Sequence, residues 1–393
     1  MTALAALAPG ALERLGTYRV AVGAYLGTRG ALVIVALLDA ALRHTTVANA
    51  FTNWDGQWYR ALALSGYPSV VSHGQTTLGF FPLYPLVLWL LAHVPYGVAH
   101  VSMQSAVTWT GIVVSFAGGL VATVLAQELA TGWWGEAAGR RAAIAFCLFP
   151  GSVVFSMVYA EGLMIPLAMG TLWALERRRW LLAGALAGLA TAVEPEAALL
   201  VPVCMLAAAR ELRRRGWRST TARRSLLAPA LSATGGVAVG AYLWLRTGSP
   251  LATAIAQHDG WHEHASLLAV PDLALKLASE ISFAHFDRPS INLNLVSGLI
   301  GSVVLVVLLV AIVRARRSMP AEALLWTLGI SVAAFTASYP FSPNPRVLIT
   351  AFPAVLVIGR FVRKDAFRTL TWGLAATLVL FSSVVFVGQT LRP

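Results

Sequence analysis

Charged residues and cysteine are both scarce in this 393-residue chain. Asp, Glu, Lys and Arg together make up 12% of it, about half the share that soluble domains carry. Only two cysteines are present, Cys147 and Cys204, and both lie inside apolar runs, which excludes a disulfide framework and a cysteine-based zinc site. With 58% hydrophobic residues and a mean hydropathy of +0.71, too few polar side chains remain to cover soluble domains. The sequence therefore predicts a membrane protein.

Apolar runs divide into two length classes. About twenty apolar residues are needed to cross the hydrocarbon core of a bilayer. Six runs reach that length, at 20–42, 104–127, 225–245, 291–313, 321–338 and 369–390. Six shorter runs are broken by proline, at 78–95, 142–158, 161–175, 180–193, 196–209 and 347–362. We predict an all-α polytopic fold with about eleven crossings, in which 78–95 lies on the outer side or is re-entrant. No cleaved leader is expected, because Pro9 and Glu13 interrupt the first apolar stretch.

The basic residues cluster between the apolar runs. The formal net charge is +12, which by itself would also suit a nucleic-acid-binding protein. With the N-terminus inside, most Lys and Arg residues fall in cytoplasmic turns, such as 210–224, and most acids fall outside. This asymmetry is the positive-inside pattern of membrane proteins and argues against nucleic acid as a partner. The same topology places two large loops outside, 43–77 and 246–290, where we expect function to lie.

The first outer loop is rich in aromatics around a single acid, Asp55. Residues 56–65 have apolar positions at helical spacing, which predicts a short interfacial helix with Asp55 at its N-terminus. Asp55 is then either the N-cap of this helix or a carboxylate that takes a proton from an acceptor hydroxyl.

The second outer loop holds a cluster of histidines. His258 and His262 have the i, i+4 spacing of two ligands on one helix face, but Gly260 weakens that helix and no H-E-x-x-H order is present. We favour the interpretation that Gln257, His258 and Trp261 line a cleft for a sugar or a lipid headgroup. The alternatives are a metal site and a hydrated surface loop. Nucleotide-binding and serine-hydrolase motifs are absent from the sequence.

A series of short motifs, in order along the chain, resembles the PIG-V-like mannosyltransferases, which are GT-C glycosyltransferases. They are Trp54-Asp55 through Tyr67, Phe80-Phe81-Pro82-Leu83-Tyr84-Pro85, Phe149-Pro150, Tyr159-Ala160-Glu161-Gly162-Leu163, Arg178-Arg179-Trp180, Thr247-Gly248-Ser249-Pro250 before Gln257 and Trp261, and Arg346 ahead of Phe352-Pro353. The resemblance extends over nearly the whole chain. It implies one GT-C-like membrane domain, 1–393, with juxtamembrane helices in the first outer region, 43–103, and a second large loop at 246–290.

The resemblance also implies an activity. It suggests inverting transfer of a sugar, most simply mannose, from a polyprenyl phosphate to a hydroxyl on the outer face, with Asp55 as the general base. Because phosphate leaves as an anion without a general acid, one carboxylate suffices, whereas glycoside hydrolases usually need two. No cofactor is required, and a divalent metal is not expected. The alternatives are another polyprenyl-phosphate sugar, or a multi-pass lipid or solute transporter, which the interfacial clustering of acids disfavours.

Several residues receive roles by matching the family. Arg346, an isolated cation in a Pro-rich turn, is expected to hold the donor phosphate, the alternative being an arginine that snorkels to the interface. Glu161 is either part of the sugar site or an interfacial acid at a helix N-terminus. The expected sugar or acceptor contacts are Trp54, Trp58, Tyr59, Tyr159, Glu161, Gln257, His258 and Trp261. The expected lipid groove is formed by Phe80, Phe81 and Tyr84.

One segment departs from the family pattern. The family usually has an arginine before the proline of Val193-Glu194-Pro195-Glu196, where this chain has an acid. Glu194 and Glu196 are either ligands for sugar hydroxyls, acceptor or a cation, or solvated acids at a helix end. The expected acceptor is a glycolipid, glycan or protein hydroxyl, and the expected location is the plasma (bacterial inner) membrane.

Overall fold

The computed structural model describes residues 9–280, 291–339, 342–388 and 390–393. Part of the predicted second outer loop, 281–290, lies outside the described residues. Within the described part the regular structure is helical. The helices of the first half are α1 (Pro9–Arg43), α2 (Val47–Phe51), α3 (Asp55–Ser65), α4 (Leu83–Ala99), α5 (Met103–Trp134), α6 (Glu136–Leu148), α7 (Glu161–Glu176), α8 (Trp180–Thr191) and α9 (Leu200–Arg215).

The second half continues in the same way. Its helices are α10 (Thr220–Arg224), α11 (Leu227–Ser232), α12 (Thr234–Thr247), α13 (Ala252–Ile255), α14 (Ala269–Glu280), α15 (Leu293–Ala315), α16 (Ala321–Thr336), α17 (Pro345–Thr350), α18 (Phe352–Leu356), α19 (Ile358–Phe361) and α20 (Lys364–Val387). Short 3-10 segments follow α6 and precede α9, at Pro150–Ser156 and Pro195–Leu199.

The prediction of an all-α, multi-pass membrane protein is confirmed. Among the described residues, five helical segments are long and apolar enough to cross a bilayer: Gly16–Arg43, Met103–Trp134, Thr220–Thr247, Leu293–Ser318 and Lys364–Val387. They coincide with five of the six long apolar runs. Large apolar side chains on these segments are exposed, for example Ile34 at 59% and Leu245 at 88%, as expected for surfaces that face lipid.

The predicted count of eleven crossings is not confirmed. The run at 321–338 forms only the 16-residue helix α16, and α4, α8 and the Phe352–Phe361 segment are also shorter than a full span. The run at 142–158 forms α6 and the 3-10 segment after it, bent by 72°. Proline explains this bend, because Pro150 cannot continue the hydrogen-bond ladder of α6.

A buried arginine in the first span supports the bend after α6. Arg29 is 2% exposed and donates hydrogen bonds to the carbonyl oxygen of Ser152 at 2.6 Å and to the hydroxyl of Ser156 at 2.9 Å. Backbone carbonyls freed by a broken helix cannot find water in a bilayer, so an internal donor must satisfy them. Arg29 is therefore a structural residue of α1.

Helix α4 runs back along the first half of α5. Near its start, the hydroxyl of Tyr84 lies 2.9 Å from that of Ser115, and one turn later Leu88 packs against Gly111. Only three residues separate its last residue, Ala99, from the start of α5 at Met103. The loop before α4 thus lies beside the middle of α5, about 18 Å along the helix axis from Met103 at a rise of about 1.5 Å per residue.

Two glycines allow α5 and α7 to cross in direct contact. A Cβ atom on Gly118 would lie 1.6 Å from the carbonyl oxygen of Gly162, and one on Gly162 would lie 2.5 Å from the Cα of Ser115. Small residues at such crossings let membrane helix backbones approach closely. The crossing fixes the N-terminus of α7, and with it Glu161.

We expect Gly118→Ala to lower the free energy of unfolding by about 1–3 kcal/mol, because the new methyl group must push α5 away from α7. Gly132→Ala is the matched control in the same helix, since its Cβ atom would meet nothing closer than 3.9 Å. Thermal unfolding of both variants in detergent measures the difference. Equal stability of the two variants would show that the crossing is not tight.

The two ends of the bundle differ in character. At one end the basic turns meet: Trp134 donates to the hydroxyl of Ser318, and Arg210 pairs with Glu322 at 2.8 Å. At the other end Asn53 donates to the carbonyl oxygen of Phe386. This second end, here called the site end, also carries the start of α3 and the start of α7. The turns that the sequence predicts to lie inside are thus at one end of the bundle, and the loops that it predicts to lie outside are at the other end.

Candidate active site

One guanidinium and three carboxyl groups meet at the site end. Arg346 forms ion pairs with Asp55 through Nη1 and with Glu161 through Nε, and its Nη2 lies 3.7 Å from Glu194. These residues come from the first turns of α17, α3 and α7 and from the turn after α8. Tyr159 lies beneath, with the Arg346 guanidinium 4.8 Å from its ring centre. Arg346 is therefore not the isolated cation that its sequence context predicts.

Asp55 begins α3 but does not cap it. The N-cap position belongs to Trp54, whose backbone is left-handed at φ 60°, and no side chain caps this end. The backbone N–H of Asp55 donates to the hydroxyl of Tyr159 at 3.2 Å, while its carboxylate accepts from Arg346. The predicted helix over 56–65 is confirmed, and the N-cap interpretation of Asp55 is wrong. A carboxylate at the first helical position can point into the cavity instead.

Local backbone structure positions both Arg346 and its partner Glu161. Asn344 caps α17 by accepting from the N–H of Val347 at 3.0 Å, and Pro345 occupies the first turn, where no backbone donor is needed. Glu161 is the first residue of α7, where the helix dipole favours a negative charge. Arg346 and Glu161 thus extend from two helix N-termini that face one another.

These groups line a cavity of about 660 Å³. Its polar lining includes the carboxyl groups of Asp55, Glu161, Glu194, Glu196 and Glu263 together with Arg346. Its apolar lining includes Val239 and Leu243 of α12 and Ile330 and Ala334 of α16. Asp55 and Arg346 keep about a quarter of their side chains exposed, at 24% and 23%, whereas Glu161 and Glu194 are buried at 1% and 5%. A ligand in the cavity would reach all four.

Two buried carboxylate oxygens lack hydrogen-bond donors. Oε2 of Glu161 and Oε2 of Glu194 have no hydrogen-bond partner among the described residues. The other oxygen of Glu194 accepts only a long bond, 3.4 Å, from the hydroxyl of Tyr59. Buried acceptors without donors are costly, so a ligand that brings hydroxyl groups would stabilise them.

Burial raises the pKa of Glu194 well above its ordinary value, and the nearby carboxylates of Glu161 and Glu196 raise it further, against the opposing effect of Arg346. Glu194 is therefore neutral in the folded protein at pH values where an exposed glutamate is ionised. A neutral Glu194 leaves Arg346 facing two carboxylates instead of three.

We expect the free energy of unfolding of Glu194→Gln to increase relative to that of wild type as the pH rises above 4.5. Above that ordinary glutamate value the unfolded chain releases a proton that folded Glu194 retains, so wild-type stability falls with pH. The glutamine variant lacks this effect. Thermal unfolding between about pH 5 and about pH 9 measures the difference, with exposed Glu136→Gln as control. A difference independent of pH would contradict the raised pKa.

Aromatic and loop residues close the cavity. Phe80 and Phe81 line it, as do Tyr59, Gln257 and Trp261. Trp58 packs behind them, with its ring 5.2 Å from that of Trp261. Gln257 donates to the carbonyl oxygen of Gly79 at 2.7 Å, so the second loop lies against the first. Buried Gln257 Oε1 and Trp261 Nε1 have no hydrogen-bond partner among the described residues, which leaves them for a ligand.

Five of the residues predicted to contact sugar, acceptor or lipid lie outside the cavity lining: Trp54, Trp58, Tyr84, Tyr159 and His258. Trp54 turns toward α20, where its indole N–H donates to Val385. Tyr84 is fully buried against Ser115 and forms no groove, because its hydroxyl must find a partner inside the bundle. His258 is 71% exposed and contacts Asp259 at 2.6 Å. The structure therefore places Trp54, Tyr84 and His258 against other neighbours, and ligand contact by Trp54 and His258 stays a prediction.

The histidine cluster does not form a shared helix face. The helix ends at Trp261, preceded by a π-helical turn at Ala256–Gly260, and His262 has a left-handed backbone at φ 58°. His258 does not share a face with His262. It and His73 form hydrogen bonds to Asp259, and these bonds lower the pKa of the Asp259 carboxyl group. No group of three or more His, Cys, Asp or Glu side chains suited to a metal occurs in the part of the chain that the structure describes.

Glu194 and Glu196, for which the sequence leaves ligand binding and solvation as alternatives, both line the cavity, and so does Glu263, which was not predicted. For Glu194 and Glu196 a signal existed, because acids between two apolar runs are uncommon and tend to be functional. Glu263 gave no such signal, since it lies in a polar loop. The interpretation of Glu194 as a solvated acid at a helix end is wrong.

Comparison with known proteins gives one family match. Residues 33–210 match the family model described as Mannosyltransferase (PIG-V). That range includes Asp55, Glu161 and Glu194 and stops before Arg346. No curated protein sequence matches the chain.

The solved structures that resemble this chain have low sequence identity to it. Cupriavidus metallidurans ArnT bound to undecaprenyl phosphate is 14% identical, with a TM-score of 0.48 over 91% of this chain and 75% of that one. Archaeoglobus fulgidus AglB, an oligosaccharyltransferase in complex with an inhibitory peptide and a dolichol-phosphate, is 13% identical, with a TM-score of 0.42 over 92% of this chain and 56% of that one. The family match confirms, over residues 33–210, both the resemblance to PIG-V-like mannosyltransferases and the predicted enzyme class, a glycosyltransferase.

Proposed function

We propose that this protein transfers mannose from a polyprenyl-phosphate donor to a hydroxyl acceptor, with inversion at the anomeric carbon. One observation carries the proposal: the cavity that contains Asp55 is lined both by acids around a single arginine and by apolar side chains of α12 and α16. A polyprenyl-phosphate sugar has the same division, because a sugar and a phosphate are joined to a hydrocarbon chain.

The donor is held by its phosphate and its tail. Arg346 binds the phosphate through two parallel N–H bonds, the geometry for which a guanidinium is suited. The prenyl chain lies along the apolar walls from α12 and α16, near Phe80 and Phe81. To reach the phosphate, Arg346 must release at least one of the carboxylates that it contacts.

Asp55 is the proposed general base. When Arg346 turns to the donor phosphate, Asp55 loses its cation and becomes free to accept a proton. The acceptor hydroxyl oxygen attacks the anomeric carbon, the bond from that carbon to the phosphate oxygen breaks, and its electron pair leaves with the phosphate. The hydroxyl proton passes to Asp55, so atoms and charge balance without a general acid.

The sugar is held by buried acceptors. Glu161 and Glu194 each have an unpartnered carboxyl oxygen, and sugar hydroxyls can both donate to and accept from carboxyl groups. Tyr59, Gln257 and Trp261 border the same space. Neutral Glu194 limits the negative charge that the donor phosphate meets on entry. Neither this step nor the transfer step calls for a metal.

The site end is proposed to face the outer side of the plasma membrane. The basic turns gather at the opposite end, and Lys and Arg are enriched in cytoplasmic turns of membrane proteins. A lipid-linked donor fits that location. The acceptor is then a glycolipid, glycan or protein hydroxyl outside the cytoplasm.

The proposal is tested by supplying purified protein in liposomes with three labelled donors: polyprenyl-phosphate mannose, polyprenyl-phosphate glucose and a nucleotide-linked mannose, together with membrane lipid extract. We expect label in the lipid product only from polyprenyl-phosphate mannose. Transfer from the glucose donor alone would retain the donor class and change the sugar. Transfer from the nucleotide donor, or from none, would contradict the proposal.

A further inference from the structure

A second polar cavity lies behind α3, on the side away from Asp55. It has a volume of about 630 Å³ and lies among the end of α1, the starts of α3 and α5, and the end of α20. Gln57 and Arg60 of α3 line it, whereas Asp55 and Tyr59 of the same helix line the catalytic cavity. Helix α3 is therefore a wall between two cavities.

The second cavity contains an arginine without an acidic partner. Nε of Arg60 is buried and lacks a hydrogen-bond partner, and its Nη1 reaches only Thr52 Oγ1 at 3.4 Å. Arg60 forms no ion pair with any residue in the described ranges. A second arginine, Arg43, lies 4.0 Å from Asp39 and donates to the carbonyl oxygen of Val387 at 2.9 Å. With two arginines and one aspartate, the lining carries excess positive charge.

Neutral donors accompany these arginines. The side-chain amides of Asn49, Gln57 and Gln104 also line the cavity, so N–H groups approach it from three helices. A partly buried guanidinium whose hydration is incomplete is stabilised by an anion that accepts its hydrogen bonds. Guanidinium forks together with amide N–H groups suit the oxygens of a phosphate group.

The position of the cavity identifies the source of that phosphate. Next to Asp39 and Arg43 on α1, Leu38 is 59% exposed and Leu42 is 81% exposed. Exposed apolar side chains adjacent in sequence to the charged lining residues belong in hydrocarbon, so the cavity lies where lipid headgroups meet acyl chains. We propose that this cavity binds the phosphate of an anionic membrane lipid headgroup, independently of the sugar-transfer reaction.

The test measures binding of lipid, not transfer of sugar. Full-length protein, stripped of lipid in a neutral detergent, is titrated with ³²P-labelled phosphatidylglycerol, and retained label is counted. Arg60→Gln is expected to bind about tenfold more weakly, the loss that follows from about 1.4 kcal/mol, while Arg60→Lys retains most binding. Arg224→Gln, an exposed arginine of α10 outside the cavity, is the matched control and should bind as wild type does.

Competition separates the possible ligands. Unlabelled phosphatidylglycerol should displace the label, and phosphatidylcholine and inorganic phosphate should not. Displacement by inorganic phosphate at equal concentration would overturn the lipid assignment in favour of a free anion. Equal binding by wild type and Arg60→Gln would overturn the proposal. If Arg60→Gln does not elute as a folded monomer in detergent, Arg43→Gln replaces it, with the same expected direction.

Discussion

Asp55→Asn is expected to reduce transfer from polyprenyl-phosphate mannose by about 10²–10⁴-fold, the usual contribution of a positioned general base. The amide keeps the size of the carboxylate but cannot accept the acceptor proton. Donor binding should be retained or improved, because Asp55 pairs with Arg346 and so competes with the donor phosphate for it. The expected signature is therefore a large fall in kcat without a rise in KM for the donor.

The matched control is Asp272→Asn, an exposed aspartate in the first turn of α14. It should leave both constants unchanged. A thermal unfolding curve for each variant establishes that the protein is folded in the assay. Asp55→Asn with wild-type kcat would exclude Asp55 as the base, and a large rise in KM with unchanged kcat would make it a binding residue.

Arg346→Gln is expected to remove donor binding and to destabilise the protein by about 3–5 kcal/mol, the usual cost of removing one partner of a buried ion pair. Arg346 is the cation shared by Asp55, Glu161 and Glu194. Without it, the buried carboxyl group of Glu161, which is 1% exposed, is left without its cation. Equilibrium binding of polyprenyl phosphate measures the loss of donor binding, and thermal unfolding measures the loss of stability.

A double variant separates stability from donor binding. Arg346→Gln combined with Glu161→Gln removes the buried charge that the single variant leaves unpaired, so part of the lost stability should return. Donor binding should not return, because no guanidinium is present. Recovery of donor binding in the double variant, or a single variant as stable as wild type, would contradict the role given to Arg346. Exposed Arg360→Gln is the control for loss of an arginine.

The long apolar runs could be predicted because hydrophobic length alone specifies a membrane span. The run at 225–245, for example, contains Thr234, Gly235 and Gly236, yet the helical segment Thr220–Thr247 is long and apolar enough to cross the bilayer. Short runs were harder, because a stretch such as 142–158 has the composition of a span and is divided by Pro150. Whether such a stretch crosses, bends or returns depends on partners far away in sequence, here Arg29 of α1.

The site could be predicted in part. Asp55, Glu161 and Arg346 were each identified from local context and family resemblance, and the structure brings their side chains together. Their mutual pairing could not be predicted, because 291 positions separate Arg346 from Asp55. For the same reason the sequence could not decide whether Glu194 binds a ligand or is solvated. Conversely, His258 and His262 have suggestive spacing, but helix termination at Trp261 removes the shared face on which that spacing depends.

The most direct test of the central claim is the anomeric configuration of the product. Wild-type protein in liposomes is given polyprenyl-phosphate β-mannose, and the linkage in the purified product is assigned by NMR from the one-bond C1–H1 coupling. A single displacement with Asp55 as base predicts an α-linked mannose. A β-linked product would require two successive displacements, with a protein carboxylate as nucleophile, and would contradict the account.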